Sequence, residues 1–127
     1  MIDKVVRSKD VAPANFPFPG YTGNITVKIL NLEYALGPEI IHIRMEPGAV
    51  IPAHLHKKAT EVLAILDGDF VNENTSYAPG DFLQTKPGTV HGPHTTKKGC
   101  SFLAMYTANA GEVDPNDFFL AETAKRA

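Results

Sequence analysis

PGAVIPAHLHKKATEVLAILDG, residues 47–68, places three groups of metal-binding chemistry at regular intervals on one short stretch. Gly48 is followed, after five residues, by His54-Leu55-His56, then after four more by Glu61 and after six more by Gly68. GDFLQTKPGTVH, residues 80–91, adds a third imidazole at His91, behind a Pro87-Gly88 turn. Histidines two apart on an extended strand project to the same side. Glu61 opens the next apolar run after a tight connection and can return beside the pair, while His91 arrives on a later strand. An isolated histidine is more often a surface or satisfied core residue than a ligand. The two linked signatures together instead predict one mononuclear site made by His54, His56, Glu61 and His91. Three neutral imidazoles and a carboxylate suit Fe(II), Mn(II), Co(II), Ni(II), Cu(II) or Zn(II) rather than Ca(II).

Outward from this centre the chain reads as short β-type runs separated by turn residues: ITVKILNL, EIIHIRME, the stretch around VIPAHLH, EVLAILDG, DFVNE, DFLQTK, VHGPH and SFLAMYT. Turns are expected at Gly37-Pro38, Pro47-Gly48, Asp67-Gly68-Asp69, Pro79-Gly80-Asp81 and Pro87-Gly88. This is the pattern of an all-β sandwich or barrel, and ten prolines speak against a helical protein. Val11 to Gly23, rich in Pro, Gly and aromatics, reads as an irregular arm packed over the core. Only the tail, about Asp117 to Arg126, has the composition of a short helix.

Period-two alternation puts Ile41, Ile43 and Met45 on one face of their strand, with His42 and Arg44 on the other. In EVLAILD both faces are apolar, so that strand is expected to be covered on both sides, as in a barrel that also makes a subunit contact. The expected barrel interior is Ile41, Ile43, Met45, Leu63, Ile65, Phe82, Phe102 and Ala104.

The chain has 127 residues, enough for one domain with a core over about residues 24–108, and a net charge of -2. Basic residues cluster only at Lys57-Lys58 and Lys97-Lys98, so no nucleic-acid footprint is present. No apolar run approaches a membrane span, and the first residues lack the apolar core of a signal peptide. A cytoplasmic location is the expectation. The single cysteine, Cys100, excludes an intramolecular disulfide and a thiolate cluster; it reads as a small buried apolar residue.

The chain resembles a cupin. The family's first motif is satisfied at every position from Gly48 to Gly68. In the second, Gly80, Gly88 and His91 fit, whereas Lys86 stands at the proline position with Pro87 after it, and Thr95 replaces the asparagine. The run containing Gly68, Phe70, Glu73, Tyr77, Gly80, Pro87-Gly88, His91, Pro93 and Gly99-Cys100 is similar to the cupin domain of ChrR-type anti-sigma factors. The same subgroup includes free-standing cupins likened to acetylacetone and dihydroxyacetophenone dioxygenases. The resemblance implies a double-stranded β-helix, or jelly-roll barrel, often a homodimer through its outer strands. With no room for a separate helical sigma-binding domain, sigma regulation is not expected.

The remaining polar residues are read one by one. His94, three after His91, would point to the opposite side of a straight strand and reads as a residue just outside the ligand set or on the pocket rim. Arg44 is expected to pair with an acid such as Glu46. Tyr77 and Tyr106 are pocket hydroxyls or edge packing. Ile43, Met45, Leu63, Phe82, His94, Phe102 and Tyr106 form the expected substrate pocket. The resulting expectation is one divalent metal per chain, Fe(II) first and Zn(II), Ni(II) or Mn(II) after it, acting on a small-molecule substrate with no nucleic-acid or membrane partner. Glu61 is either a permanent ligand or a base. The activity expected is a non-haem dioxygenase acting on a diketone or hydroxy-ketone. The alternatives are a Zn- or Ni-dependent isomerase or cyclase and a non-catalytic metal sensor.

Overall fold

The computed structural model describes residues 1–31, 38–109 and 114–121. Twelve strands follow in chain order: β1 (Ala14–Asn15), β2 (Ile25–Ile29), β3 (Pro38–Met45), β4 (Val50–Ile51), β5 (His54–Leu55), β6 (Glu61–Gly68), β7 (Phe70–Asn72), β8 (Thr75–Tyr77), β9 (Phe82–Thr85), β10 (His94–Thr95), β11 (Cys100–Asn109) and β12 (Phe119–Leu120). A six-stranded sheet runs β1-β2-β3-β11-β6-β9 and a four-stranded sheet β4-β10-β7-β8, with β12 and β5 as a separate pair. Every pairing is antiparallel. This is the jelly-roll barrel.

Alternation builds the core. Ile43 and Met45 of β3, Leu63 and Ile65 of β6, and Phe102 and Ala104 of β11 are buried side by side on the inner face of the large sheet. From the opposite sheet Phe70 closes on Phe102, with ring centroids 5.0 Å apart. Burying each such aromatic or branched side chain contributes roughly 1.5–3 kcal/mol. Gly68 makes the sharp exit from β6: at φ +80°, a Cβ there would lie 2.0 Å from the Gly99 carbonyl oxygen, so no other residue fits. The aromatic arm packs on the core as expected, with Phe16 buried against Phe18, Tyr21 and Phe118.

Several expectations are corrected. Phe82 is not interior: it is 63% exposed, because β9 pairs with β6 at Leu63↔Leu83 and Ala64↔Phe82. Leu83 therefore takes the inward position and Phe82 the outward one. Within this chain β6 is buried on one face only, and Leu66 is exposed. VHGPH is not one strand: His91 makes an isolated bridge to His54, and β10 begins at His94. The expected helix over Asp117–Arg126 is replaced at Phe119–Leu120 by a strand paired with β5; residues 122–126 lie outside the described residues, as does Gly37 of the Gly37-Pro38 turn. Arg44 pairs with Glu46 at 3.3 Å and also with Asp67 at 3.2 Å. Cys100 is fully buried, which pushes its thiol up to about 11. Among the described residues no helix is long and apolar enough to cross a membrane.

Candidate metal centre

The two motifs are stitched together through their backbones. The His54 N–H donates to the His91 carbonyl and the His91 N–H to the His54 carbonyl, both at 2.9 Å. Gly88 donates its N–H to the His56 carbonyl at 2.7 Å. Glu61 is the first residue of β6, with its side chain on the inner face. In consequence His54, His56, Glu61 and His91 are all buried, and one ligand atom from each lies within 4.8 Å of those of the other three.

Proton placement is legible from the partners. His54 Nδ1 donates to the Pro52 carbonyl at 2.7 Å, and His56 Nδ1 donates to the Asp117 carbonyl. A carbonyl only accepts, so in both neutral rings the proton sits on Nδ1 and the Nε2 lone pair is free. His56 Nε2 lies 3.2 Å from Glu61 Oε2, and His91 Nδ1 lies 3.5 Å from Glu61 Oε1. Yet His56 Nε2 and His91 Nε2 are buried without an aligned hydrogen-bond partner. Buried polar atoms left so cost about 1–3 kcal/mol each, and a cation bound among them removes that cost.

The charges agree. Burial, followed by the neighbouring His91, pushes His54 down to about 4, and burial also lowers His91. For His56, burial pushes down, but the adjacent Glu61 carboxylate carries it above the ordinary histidine value. Burial would raise Glu61, and the surrounding imidazoles instead hold it well below the usual carboxylate range. His54 and His91 held neutral beside an ionised carboxylate, with the His56 proton favoured only by that same carboxylate and displaceable by a cation, suit a divalent metal of the borderline kind.

Around this centre the structure places the other expected residues unevenly. His94 is brought in, not turned away: its ring is 5.2 Å from that of His91 and 5.5 Å from that of His54. Gly92, at φ +90°, breaks the strand between the two histidines, so the parity of a straight strand does not apply. Burial pushes His94 down to about 3, and its Nδ1 has no partner. Tyr106 is buried beside Glu61; burial, then the Glu61 charge, holds its phenol well above the ordinary value. Tyr77 packs on the Phe70 ring at 6.4 Å.

Two cavities meet at His56 and Tyr106. One, of about 20 Å³, lies between His54, His56, Glu61, His94 and Tyr106, with Leu63 and Phe102 behind. The other, of about 330 Å³, extends past Phe16, Phe18, Val27, Ile29, Ile41 and Ile43 to Glu39, Lys58 and Asp114. Met45 and Phe82 line neither.

Sequence reasoning missed the aromatic roof and its support. Phe118 stacks on His54, with centroids 4.3 Å apart and planes 19° from parallel, and on Phe18 at 4.4 Å. Asp117 beside it accepts backbone N–H bonds from Lys57, Lys58 and Ala59. No spacing rule links residues 117–118 to the metal motifs some sixty positions earlier.

Comparison with known proteins agrees with the fold. The family model described as the ChrR Cupin-like domain matches residues 6–110. The polyketide cyclase RemF from Streptomyces resistomycificus superposes with a TM-score of 0.74 at 20% identity, over 91% of this chain and 89% of that one. A putative acetylacetone dioxygenase from Methylibium petroleiphilum PM1 gives 0.71 at 16% identity, over 99% and 94%. ChrR from Rhodobacter sphaeroides, solved in complex with SigE, gives 0.62 at 19% identity over 79% of this chain, which spans about half of ChrR (51%). No curated protein sequence matches the chain.

Proposed function

The chain belongs to the ChrR cupin-like domain family, and from that premise we propose that it is a mononuclear metal-dependent enzyme. In this reading it is a non-haem Fe(II) oxygenase acting on a small, uncharged organic molecule with two neighbouring oxygen functions, such as a diketone or hydroxy-ketone. The observation that carries the reading is the junction at His56 and Tyr106: His56, whose buried Nε2 has no aligned hydrogen-bond partner, lines a cavity of about 330 Å³. His54, His56, Glu61 and His91 would hold the ion, and Fe(II) held there would supply oxygen activation and attraction for a substrate's paired oxygens.

The chain's own residues do the rest. Phe16, Phe18, Ile41 and Ile43 offer an apolar wall that excludes water and orients a small organic body. At the cavity mouth Lys58 is held by Asp114 at 2.7 Å, and Asp117 is engaged by three backbone N–H groups. Among the described residues the wall presents no unpaired cation for a carboxylate or phosphate, which favours an uncharged substrate. The Tyr106 phenol keeps its proton, hydrogen-bonded to the Glu61 carboxylate, and Tyr106 lines the cavity, so in this reading the hydroxyl turns from Glu61 to a substrate oxygen. The 20 Å³ cavity under His94 has room for one water-sized molecule. The name of the acetylacetone dioxygenase relative describes a reaction of this class.

A second reading, a Zn(II)- or Ni(II)-dependent isomerase or cyclase, is favoured by the Tyr106–Glu61 pairing, which moves protons without any redox step. Oxygen uptake by anaerobically purified, Fe(II)-loaded protein mixed with acetylacetone, benzoylacetone or a hydroxy-ketone separates the two. Uptake coupled to substrate loss supports the oxygenase. Turnover without oxygen, with several metals accepted, transfers the assignment to Lewis-acid chemistry. Tight zinc with no turnover leaves a metal sensor.

A further inference from the structure

The segment Asp114–Ala121 lies beyond the residues matched by the family model, which end at 110, yet it holds the metal centre at three points. Phe119 and Leu120 pair with Leu55 and His54, and Ala121 donates its N–H to the Ala53 carbonyl at 3.0 Å. Phe118 covers the His54 ring. Asp117 acts on His56 twice. Its carbonyl accepts a hydrogen bond from His56 Nδ1–H, which leaves Nε2 as the ligand atom. Its carboxylate, at 2.6, 3.0 and 3.1 Å, accepts the backbone N–H groups of Lys57, Lys58 and Ala59, the connection between His56 and Glu61. Asp117 itself is buried.

We infer that Asp117 is a positioning residue for the metal centre, and that this strap, beyond the residues the family model matches, sets the metal affinity of the HxH–Glu half of the site. The inference rests on the proposal that the four residues bind a metal. Outer hydrogen-bond partners of metal-bound histidines fix the tautomer and ring orientation, and losing one typically lowers affinity about 10- to 100-fold. Asp117→Ala removes the acceptor for three donors and frees the segment carrying the carbonyl. Asp117→Asn keeps one oxygen acceptor and should restore part of the loss.

Asp69 supplies the control. Its carboxylate holds a different loop in the same manner, through the Thr96 hydroxyl at 2.7 Å and the backbone N–H groups of Lys97 and Lys98 at 2.9 and 3.0 Å, and it touches no proposed ligand. The experiment is Zn(II) affinity by chelator competition, with Co(II) absorption as the coordination signature, on the full-length wild type, Asp117→Ala, Asp117→Asn and Asp69→Ala, each with its thermal midpoint. The inference predicts about a 10- to 100-fold weaker Zn(II) affinity and an altered Co(II) spectrum in Asp117→Ala. It also predicts partial recovery in Asp117→Asn, and wild-type affinity in Asp69→Ala whatever that variant's loss of stability. Equal affinities in Asp117→Ala and Asp69→Ala, with a wild type that binds Zn(II), overturn the inference alone. If Asp117→Ala does not fold, wild-type affinity and spectrum in Asp117→Asn overturn it. A wild type that binds neither ion overturns the metal reading and the inference together.

Discussion

His54 and His91 exchange two backbone hydrogen bonds of 2.9 Å across an isolated bridge, so the two halves of the proposed ligand set share one rigid contact. Their rings lie 4.2 Å apart as a result. Backbone pairing alone thus brings the two motifs to one place. The buried nitrogens without hydrogen-bond partners carry a cost that a bound ion would remove.

His94 separates a ligand from a neighbour. It is buried against His54 and His91 but stands outside the four-residue group, so His94→Ala should leave metal content unchanged. Its effect should appear in the metal-free protein's stability against pH. The folded ring takes a proton only near pH 3, against an ordinary value of 6.5. Between these values the unfolded chain binds the extra proton, so stability is fully present above pH 6.5 and falls as pH drops toward 3. Removing His94 should flatten the slope by up to about 1.4 kcal/mol per pH unit, as read by urea unfolding across that range. An unchanged slope would mean the ring is not held neutral.

Tyr106→Phe keeps the ring that packs against His56 at 5.4 Å and deletes only the hydroxyl. Metal content and fold should persist, while kcat falls about 100-fold, within the range for a lost proton donor. Unaltered turnover would reduce Tyr106 to a packing residue.

Much of this was legible in the sequence because local spacing carried it. The four proposed ligands sit two, five and a motif apart, and strand alternation sorted Ile43, Met45, Leu63 and Phe102 inward. Failures arose where tertiary geometry overrode local parity. Gly92 reversed His94, and the register of β9 on β6 placed Leu83 inward in place of Phe82. Asp117 and Phe118 were invisible for another reason. Their partners lie about sixty residues away, and an Asp-Phe-Phe run near a chain end reads equally well as a helix.

Phe102 tests the frame behind the site. It is fully buried against Phe70 and lines the small cavity. Phe102→Ala should cost about 3–5 kcal/mol of folding stability, measured by urea unfolding of the metal-free protein. A loss under about 1 kcal/mol would show that the two sheets do not close on this ring.

The central claim is the ligand set, and metal stoichiometry tests it most directly. Protein purified anaerobically without chelators or added metal is measured by elemental analysis, beside His91→Ala prepared in parallel. The expected result is near-stoichiometric divalent metal in the wild type and its loss in His91→Ala, with both proteins folded. Full metal content in His91→Ala, or a wild type that takes up no divalent ion even when one is supplied, would contradict it.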